Sequence, residues 1–423
     1  MGMTMAEKVL ARASGRDAVS PGEYVTATVD GMMAHEAFAA CCGILQSAGV
    51  SKFRDPDRVV VVIDHWFPAP NVQYARVHAV CRHYAEKFGV RNFLGPAGIC
   101  HQVLSERGFI RPGDLVLGTD SHSTTYGALG SAGTGIGLTE MAWVLATGTL
   151  WMRVPPTIRF RLVGQPGAAL MSKDIILHIA CRFTTEVAQY ASVEFAGPVA
   201  DSMTVAGRMT ISNMGVEIGA KFAFFAADAK TVEYLRGRID GEPPTFGPDP
   251  DAQYAADYEV DVSGLEPQVA CPDDPGNVRP VSAVVGTRVD QLFLGSCTNA
   301  RLEDLEVATQ ILRGRRVHPS ARLIVTPASR QVYLDALKAG YIEALAEAGA
   351  VITASACGAC PGSHMGIIGP GEVCLSTTNR NFKGRMGSPE AQVYLASPAT
   401  VAASAIAGQI ADPRELWAGT TLG

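Results

Sequence analysis

The chain has 423 residues, of which 47% are hydrophobic and 18% charged, with 35 basic and 41 acidic side chains and a formal net charge of −6. That balance excludes a disordered chain, and without a basic run it leaves no electrostatic footprint for nucleic acid. No run of about 18 apolar residues predicts a membrane span, and the length suffices for several domains with their own cores.

The N-terminus, MGMTMAEKVLARASGRD, lacks the apolar centre of a secretory signal, and Glu7 argues against a transit peptide. With no secretory signal, the ten cysteines read as buried thiols plus a metal or redox site rather than a disulfide framework. RVVVVIDHW (58–66) predicts a buried strand and NVQYARVHAVCRHYAEKFGV (71–90) a helix. DLVLGTDSH (114–122) predicts another strand, GALGSAGTGIG (127–137) a glycine-rich loop, and TEMAWVLATGTLWM (139–152) a helix. After a break at VPPT, TIRFRLVGQPG alternates as a half-exposed strand, and MSKDIILHIACRF reads as a helix capped by Ser172. The stretches 240–253 and 271–282 read as linkers. The last third predicts strands at 289–295, 321–329, 350–355 and 372–378, with helices at 302–314, 330–349 and 397–410. Strand–helix alternation of this kind implies an α/β chain with mostly parallel sheets and right-handed crossovers.

Ligands in such sheets bind beyond the carboxyl ends of the strands. Read off those ends, the last third offers Cys297, Cys357, Cys360, Arg380 and Arg385. Cys297 is expected just before a helix start, where the helix dipole favours a thiolate. The Cys357-x-x-Cys360 pair admits three readings: a redox pair, a zinc site completed by Cys297 and His364, or an iron–sulfur cluster on three thiolates with one open iron. The first third places Asp64-His65 and Asp120-Ser121-His122 at strand ends, with His101 between them in sequence. A carboxylate beside an imidazole fixes its tautomer and raises its basicity. His78, His83, His178 and His318 read as surface or packing residues, whereas His35 and His364 lie near the site by motif.

GSCTNARLEDL, CGAC followed by GSHMG, and TTNRNFKGRMGSPEAQVYLASPATVAASA together resemble the aconitase superfamily. GTDSHSTTYGALG, GICHQVL and ISNMGVEIGA do so as well, so the resemblance runs over essentially the whole chain. MSKDIILHI and VSGLEPQVAC are most similar to the large subunits of 3-isopropylmalate dehydratases, in the archaeal-type form shared with homoaconitases. The resemblance implies a three-domain aconitase-like core (1–155, 156–270 and 271–423) without the fourth, swivelling domain. It implies a 4Fe-4S cluster on Cys297, Cys357 and Cys360, with one iron open to substrate. Asp64, His65, His101, Asp120, His122 and Glu217 match the family's His–carboxylate pairs, with His65 as proton donor to the departing hydroxyl. Ser121, Asn213, Arg380 and Arg385 match positions that contact substrate or cluster, Arg being suited to grip a carboxylate.

By the same resemblance the catalytic base resides on a separate small subunit that carries the swivelling domain. The substrate is a malate-type hydroxy diacid, 3-isopropylmalate first, with methyl- or dimethylmalate and homoaconitase substrates as alternatives. An assembly or RNA-binding paralogue is the non-enzymatic alternative. A cytoplasmic location is expected. Three departures from the family pattern stand out: Pro361 follows the second cysteine of the pair instead of preceding it, Trp66 follows Asp64-His65, and Ala37-Phe38-Ala39 replaces hydroxyl residues. Trp66 and the 37–39 stretch are expected to make the pocket wall more apolar.

Overall fold

The computed structural model describes residues 2–416. Three sheets account for most of its strands. In the first, five parallel strands lie in the order Asn92–Gly95, Val59–Val62, Gly31–Ala34, Leu115–Gly118, Ala132–Gly135. Every side chain of Val59–Val62 and Leu115–Gly118 is buried, as expected of parallel strands covered on both faces. The second sheet has four parallel strands, in the order Phe222–Phe225, Ser192–Ala196, Thr157–Val163, Ala256–Asp261. The third has seven. Its core of Gln392–Ala396, Val373–Ser376, Gln291–Leu294, Arg322–Val325 and Val351–Ile352 is parallel, and Gln268–Ala270 and Val278–Pro280 extend it antiparallel.

Local chemistry sets the crossovers. Helix Val72–Phe88 begins where the Asn71 side chain accepts the Tyr74 N–H and ends at Gly89, whose φ of 72° only glycine adopts freely. The predicted helix over 139–152 is shorter than expected. It spans Leu138–Thr147 and stops at left-handed Gly148, after which Thr149–Arg153 pairs antiparallel with Tyr24–Thr28. The glycine-rich segment 127–137 is not all loop, because Ala132–Gly135 supplies an edge strand. The predicted helix over 330–349 divides at Gly340 into Arg330–Lys338 and Tyr341–Glu347. Ser172 does not cap its helix but is the first residue of Ser172–Phe183, and the N-cap role at Met171 is served by Asp174, which accepts the Met171 N–H at 2.8 Å. The predicted strand over 350–355 shrinks to Val351–Ile352. No helix among the described residues is long and apolar enough to cross a membrane.

The carboxyl ends of the first and third sheets meet. The Cys357 N–H donates to the Asp64 carbonyl at 2.9 Å, and Gly98 bridges Ser329. The second sheet reaches the same place through helix Val205–Met214 and the turn after it, which bring Asn213 and Glu217.

Candidate active site

Asp64 and His65 follow strand Val59–Val62, and Asp120 to His122 follow Leu115–Gly118, so both groups leave adjacent parts of one sheet edge. Asp64 is fully buried. Its Oδ1 lies 2.8 Å from His65 Nδ1, and its Oδ2 accepts the Cys100 N–H at 2.7 Å. Asp120 gathers three residues. Its Oδ1 meets His101 Nε2 at 2.7 Å and the His122 N–H at 2.8 Å, and its Oδ2 lies 3.2 Å from His65 Nε2. His122 Nε2 continues to Glu217 Oε1 at 2.8 Å, and Arg380 Nε lies 2.8 Å from that same oxygen. A single chain of alternating acids and bases thus runs from Asp64 to Arg380.

The charges follow from these contacts. Burial by itself lowers the His65 imidazole, but the Cys357 sulfur and the Asp64 and Asp120 carboxylates outweigh it and hold His65 well above the ordinary range. Burial raises the Asp120 carboxyl, yet hydrogen bonds from His101, His122 and His65 hold it well below the usual range. Glu217 is likewise lowered against burial, by His122 and Arg380.

The thiols arrive from two loops of the third sheet. Cys297 follows Gln291–Leu294 in a loop with two non-glycine residues in the left-handed region, Ser296 (φ 75°) and Ala300 (φ 64°). Such backbone persists where the surroundings over-determine it. Helix Leu302–Leu312 starts five residues after Cys297, so no helix N-terminus stabilises this thiol, contrary to the sequence expectation. Its polar partner is instead Asn379 Nδ2, at 3.1 Å from Sγ. Cys357 Sγ lies 3.9 Å from His65 Nδ1, and Cys360 Sγ 3.5 Å from the Arg385 guanidinium. Between them Gly358 has a φ of 63°, and a Cβ there would come within 2.9 Å of Phe293. All three cysteines line one cavity with His65, His101, Asp120, His122 and Arg385.

The donor set separates the three readings of the cysteine motif. No long helix follows Cys357-x-x-Cys360, as a redox pair of the thioredoxin kind requires, and all ten cysteines are free thiols. A single zinc ion draws its sulfurs to about 2.3 Å each, which places them within roughly 4 Å of one another. Among the described residues Cys297, Cys357 and Cys360 do not bring their sulfurs within 4.8 Å of one another. His364, the fourth ligand of the zinc reading, donates Nε2–H to the His65 carbonyl at 2.9 Å and leaves Nδ1 without a hydrogen-bond partner, but it does not line the cavity that the three sulfurs share. Three thiols converging on one cavity fit a multinuclear group that leaves one metal position open. Burial pushes Cys297 up to about 12 and Cys357 well above the thiol range, so these sulfurs ionise only when a cation compensates them.

Of the remaining predicted residues, Asn213 is buried, donating to Thr125 Oγ1 at 2.9 Å and accepting from Asn379 Nδ2 at 3.2 Å. Ser121 Oγ lies 3.4 Å from His122 Nδ1. Asp64, Ser121, Asn213 and Glu217 contact residues of the cavity, and Arg380 reaches it through Glu217, but none of the five lines it. Trp66, partly exposed beside His65, stacks on Tyr74, with centroids 4.5 Å apart, and donates Nε1–H to Ser363 Oγ at 3.1 Å. One expectation about the wall fails: Phe38 is wholly buried in the core against Phe53.

Sequence reasoning missed most of a second layer, of which it placed only His35 near the site. Glu36, with a fully buried side chain, accepts the His65 and Trp66 N–H groups at 3.2 and 3.0 Å and faces His78 at 3.6 Å. His78 is therefore tied to the site rather than to the surface. His35 stacks on His65 at 4.1 Å. The missing signal was strand Gly31–Ala34. It lies between the other two site strands and ends in His35-Glu36, but its four residues, Gly-Met-Met-Ala, carry no β-branched pattern. Tyr126, 3.2 Å from His101 Nδ1, and Asn379 also belong to this layer.

Residues 21–408 match the model of the Aconitase family (aconitate hydratase). The chain belongs to the aconitase family. It is 48% identical over 419 residues to a probable methanogen homoaconitase large subunit of Methanothermobacter thermautotrophicus, covering 98% of each chain. It is 49% identical over 416 residues to a 3-isopropylmalate dehydratase large subunit of Methanopyrus kandleri, covering 98% of this chain and 99% of the relative. The crystal structure of Thermococcus kodakaraensis aconitase X aligns over 89% of each chain with a TM-score of 0.50 at 13% identity, a likeness of fold. Aconitase-family membership accounts for the α/β architecture and for the shared motifs read along the whole chain.

Proposed function

We propose that this chain is the large, cluster-bearing subunit of a hydro-lyase that dehydrates and rehydrates a malate-type hydroxy diacid, with 3-isopropylmalate as the substrate. The observation that carries the reading is the convergence of three thiols and the Asp64–His65–Asp120 system on one cavity. The relatives named 3-isopropylmalate dehydratase large subunit, at 46–49% identity, support the substrate. The three sheets, with strands at 31–135, 157–261 and 268–396, support a division into domains near 155 and 270.

Cys297, Cys357 and Cys360 would hold the 4Fe-4S cluster, which would supply Lewis acidity toward a substrate oxygen. The chain's own residues do the rest. His65 holds a proton between Asp64 and Asp120. The Nε2 contact, at 3.2 Å against 2.8 Å for Nδ1, is the looser one and delivers the proton to the departing hydroxyl. Asp120 keeps His101 and His122 in fixed orientations, and Glu217 carries that order on to Arg380. Arg385, on the cavity wall, binds a substrate carboxylate. The proton on the adjacent carbon is removed by a base on the small subunit.

The homoaconitase-named relative at 48% identity favours a second reading, with homoisocitrate-type acids as substrates. Anaerobic reconstitution of the chain with its small subunit, followed by kcat/KM for isopropylmalate, methylmalate, dimethylmalate, homocitrate and citrate, separates the two. Highest efficiency on 3-isopropylmalate is expected, with no turnover by the large chain alone. Preference for homocitrate selects the second reading, and turnover without a partner chain overturns the placement of the base.

A further inference from the structure

Lys173 is the second residue of helix Ser172–Phe183 and has no exposed surface. Both features disfavour its charge. A buried ammonium loses its hydration, and a cation in the first turn of a helix opposes the helix dipole. The adjacent Asp174 carboxylate favours the charge through space, but its oxygens are committed to the Met171 and Gln268 N–H groups, each at 2.8 Å. Lys173 Nζ donates instead to two carbonyls, Thr377 at 3.0 Å and Thr378 at 2.6 Å. These carbonyls begin the turn that carries Asn379, the partner of Cys297 Sγ, and Arg380, the partner of Glu217. Burial draws the ammonium down to about 7, while Cys297, Cys360 and Glu217 act in the opposite direction.

We propose that Lys173 is a positioning residue of the thiol site: its ammonium clamps the Thr377–Arg380 turn and offsets the negative charge of the cysteine sulfurs and of the group they hold. The assignment rests on the reading of Cys297, Cys357 and Cys360 as cluster ligands. A lysine that merely ties a turn needs only its hydrogen bonds, whereas this role needs the charge, and the two are separable. Lys173→Gln keeps a donor without charge, Lys173→Met removes both, and Lys173→Arg keeps the charge.

The experiment is anaerobic reconstitution of the full chain and its three variants with iron and sulfide, calorimetry of each apo form, iron release to EDTA, and a redox titration of the visible chromophore. Iron release is expected to be roughly 10- to 100-fold faster in Lys173→Met and Lys173→Gln, the range typical of supporting residues around a metal site. The midpoint potential of both should move to more negative values, because an electron added beside a lost cation is less stabilised, and Lys173→Arg should restore both properties. Wild-type chain that takes up no iron overturns the ligand reading and this proposal together. Normal loading of the wild type, with release and potential unchanged in Lys173→Gln and Lys173→Met, overturns the proposal alone. So does an apo form that fails to fold in both neutral variants, which makes Lys173 a packing residue.

Discussion

Replacing Asp120 by Asn tests the acid–base chain at its junction. The carboxylate accepts from His101 and the His122 N–H through Oδ1 and faces His65 Nε2 through Oδ2. An Asn of the same shape keeps one oxygen for the first pair and turns an N–H toward His65. That ring then retains only the neutral tautomer with its proton on Nδ1, facing Asp64. The charge-assisted contact with His65 is lost, contributing about 1.5–3 kcal/mol, so the metal-free variant is expected to be less stable by about 1.5–3 kcal/mol where Asp120 and His65 are both charged. Asp120 is lowered in the fold, so its share is present above about pH 4 and disappears as pH falls through the folded-state value. His65 is raised, so its share is full below about pH 6.5 and disappears as pH rises through its folded-state value. The penalty is therefore largest between about pH 4 and 6.5 and smaller in alkali. Urea melts of the metal-free chain at about pH 5.5 and about pH 9 measure it. A penalty below about 0.5 kcal/mol, or one equal at the two pH values, refutes the charged Asp120–His65 contact.

Cys100 lines the same cavity as the three proposed ligands, but burial and Asp64 hold its thiol well above the ordinary range. Cys100→Ala should keep full iron content after reconstitution while Cys297→Ala loses it, and equal loss in both contradicts the ligand assignment. Glu36→Ala leaves two backbone N–H groups without an acceptor, at about 1–3 kcal/mol each, so the melting temperature should drop by several degrees; an unchanged thermal scan rules out this anchoring of the His65 turn. Because Cys297 ionises only near 12 in the metal-free chain, iron loading should release protons and tighten as pH rises; calorimetry in buffers of different ionisation enthalpy that detects no release speaks against thiolate ligation.

The carboxyl-end rule located Asp64, His65, Asp120, Cys297 and Cys357 from sequence because each follows a short apolar run with an unambiguous end. It fails at Gly31–Ala34, whose composition does not read as a strand, so His35 is placed near the site by motif alone and Glu36 is given no role. It also misplaced a helix boundary, since Gly148 stops the helix while the apolar pattern of 139–152 runs on into a strand. Neighbours in sequence suggest a place on the pocket wall for Phe38, but side-chain direction puts it in the core.

The sequence by itself determined the α/β class, the family resemblance and the identity of the reactive groups, because these depend on residue type and on spacing along one chain. Only the tertiary structure decided how those groups pair. Asp120 reaches His65 and His101 from two other segments, and Glu217 comes from the second sheet to close on His122. Lys173 and Thr377, 204 residues apart in the chain, meet behind the cysteine loop. Contacts between distant segments depend on how sheets stack and loops return, and local residue patterns carry no record of that.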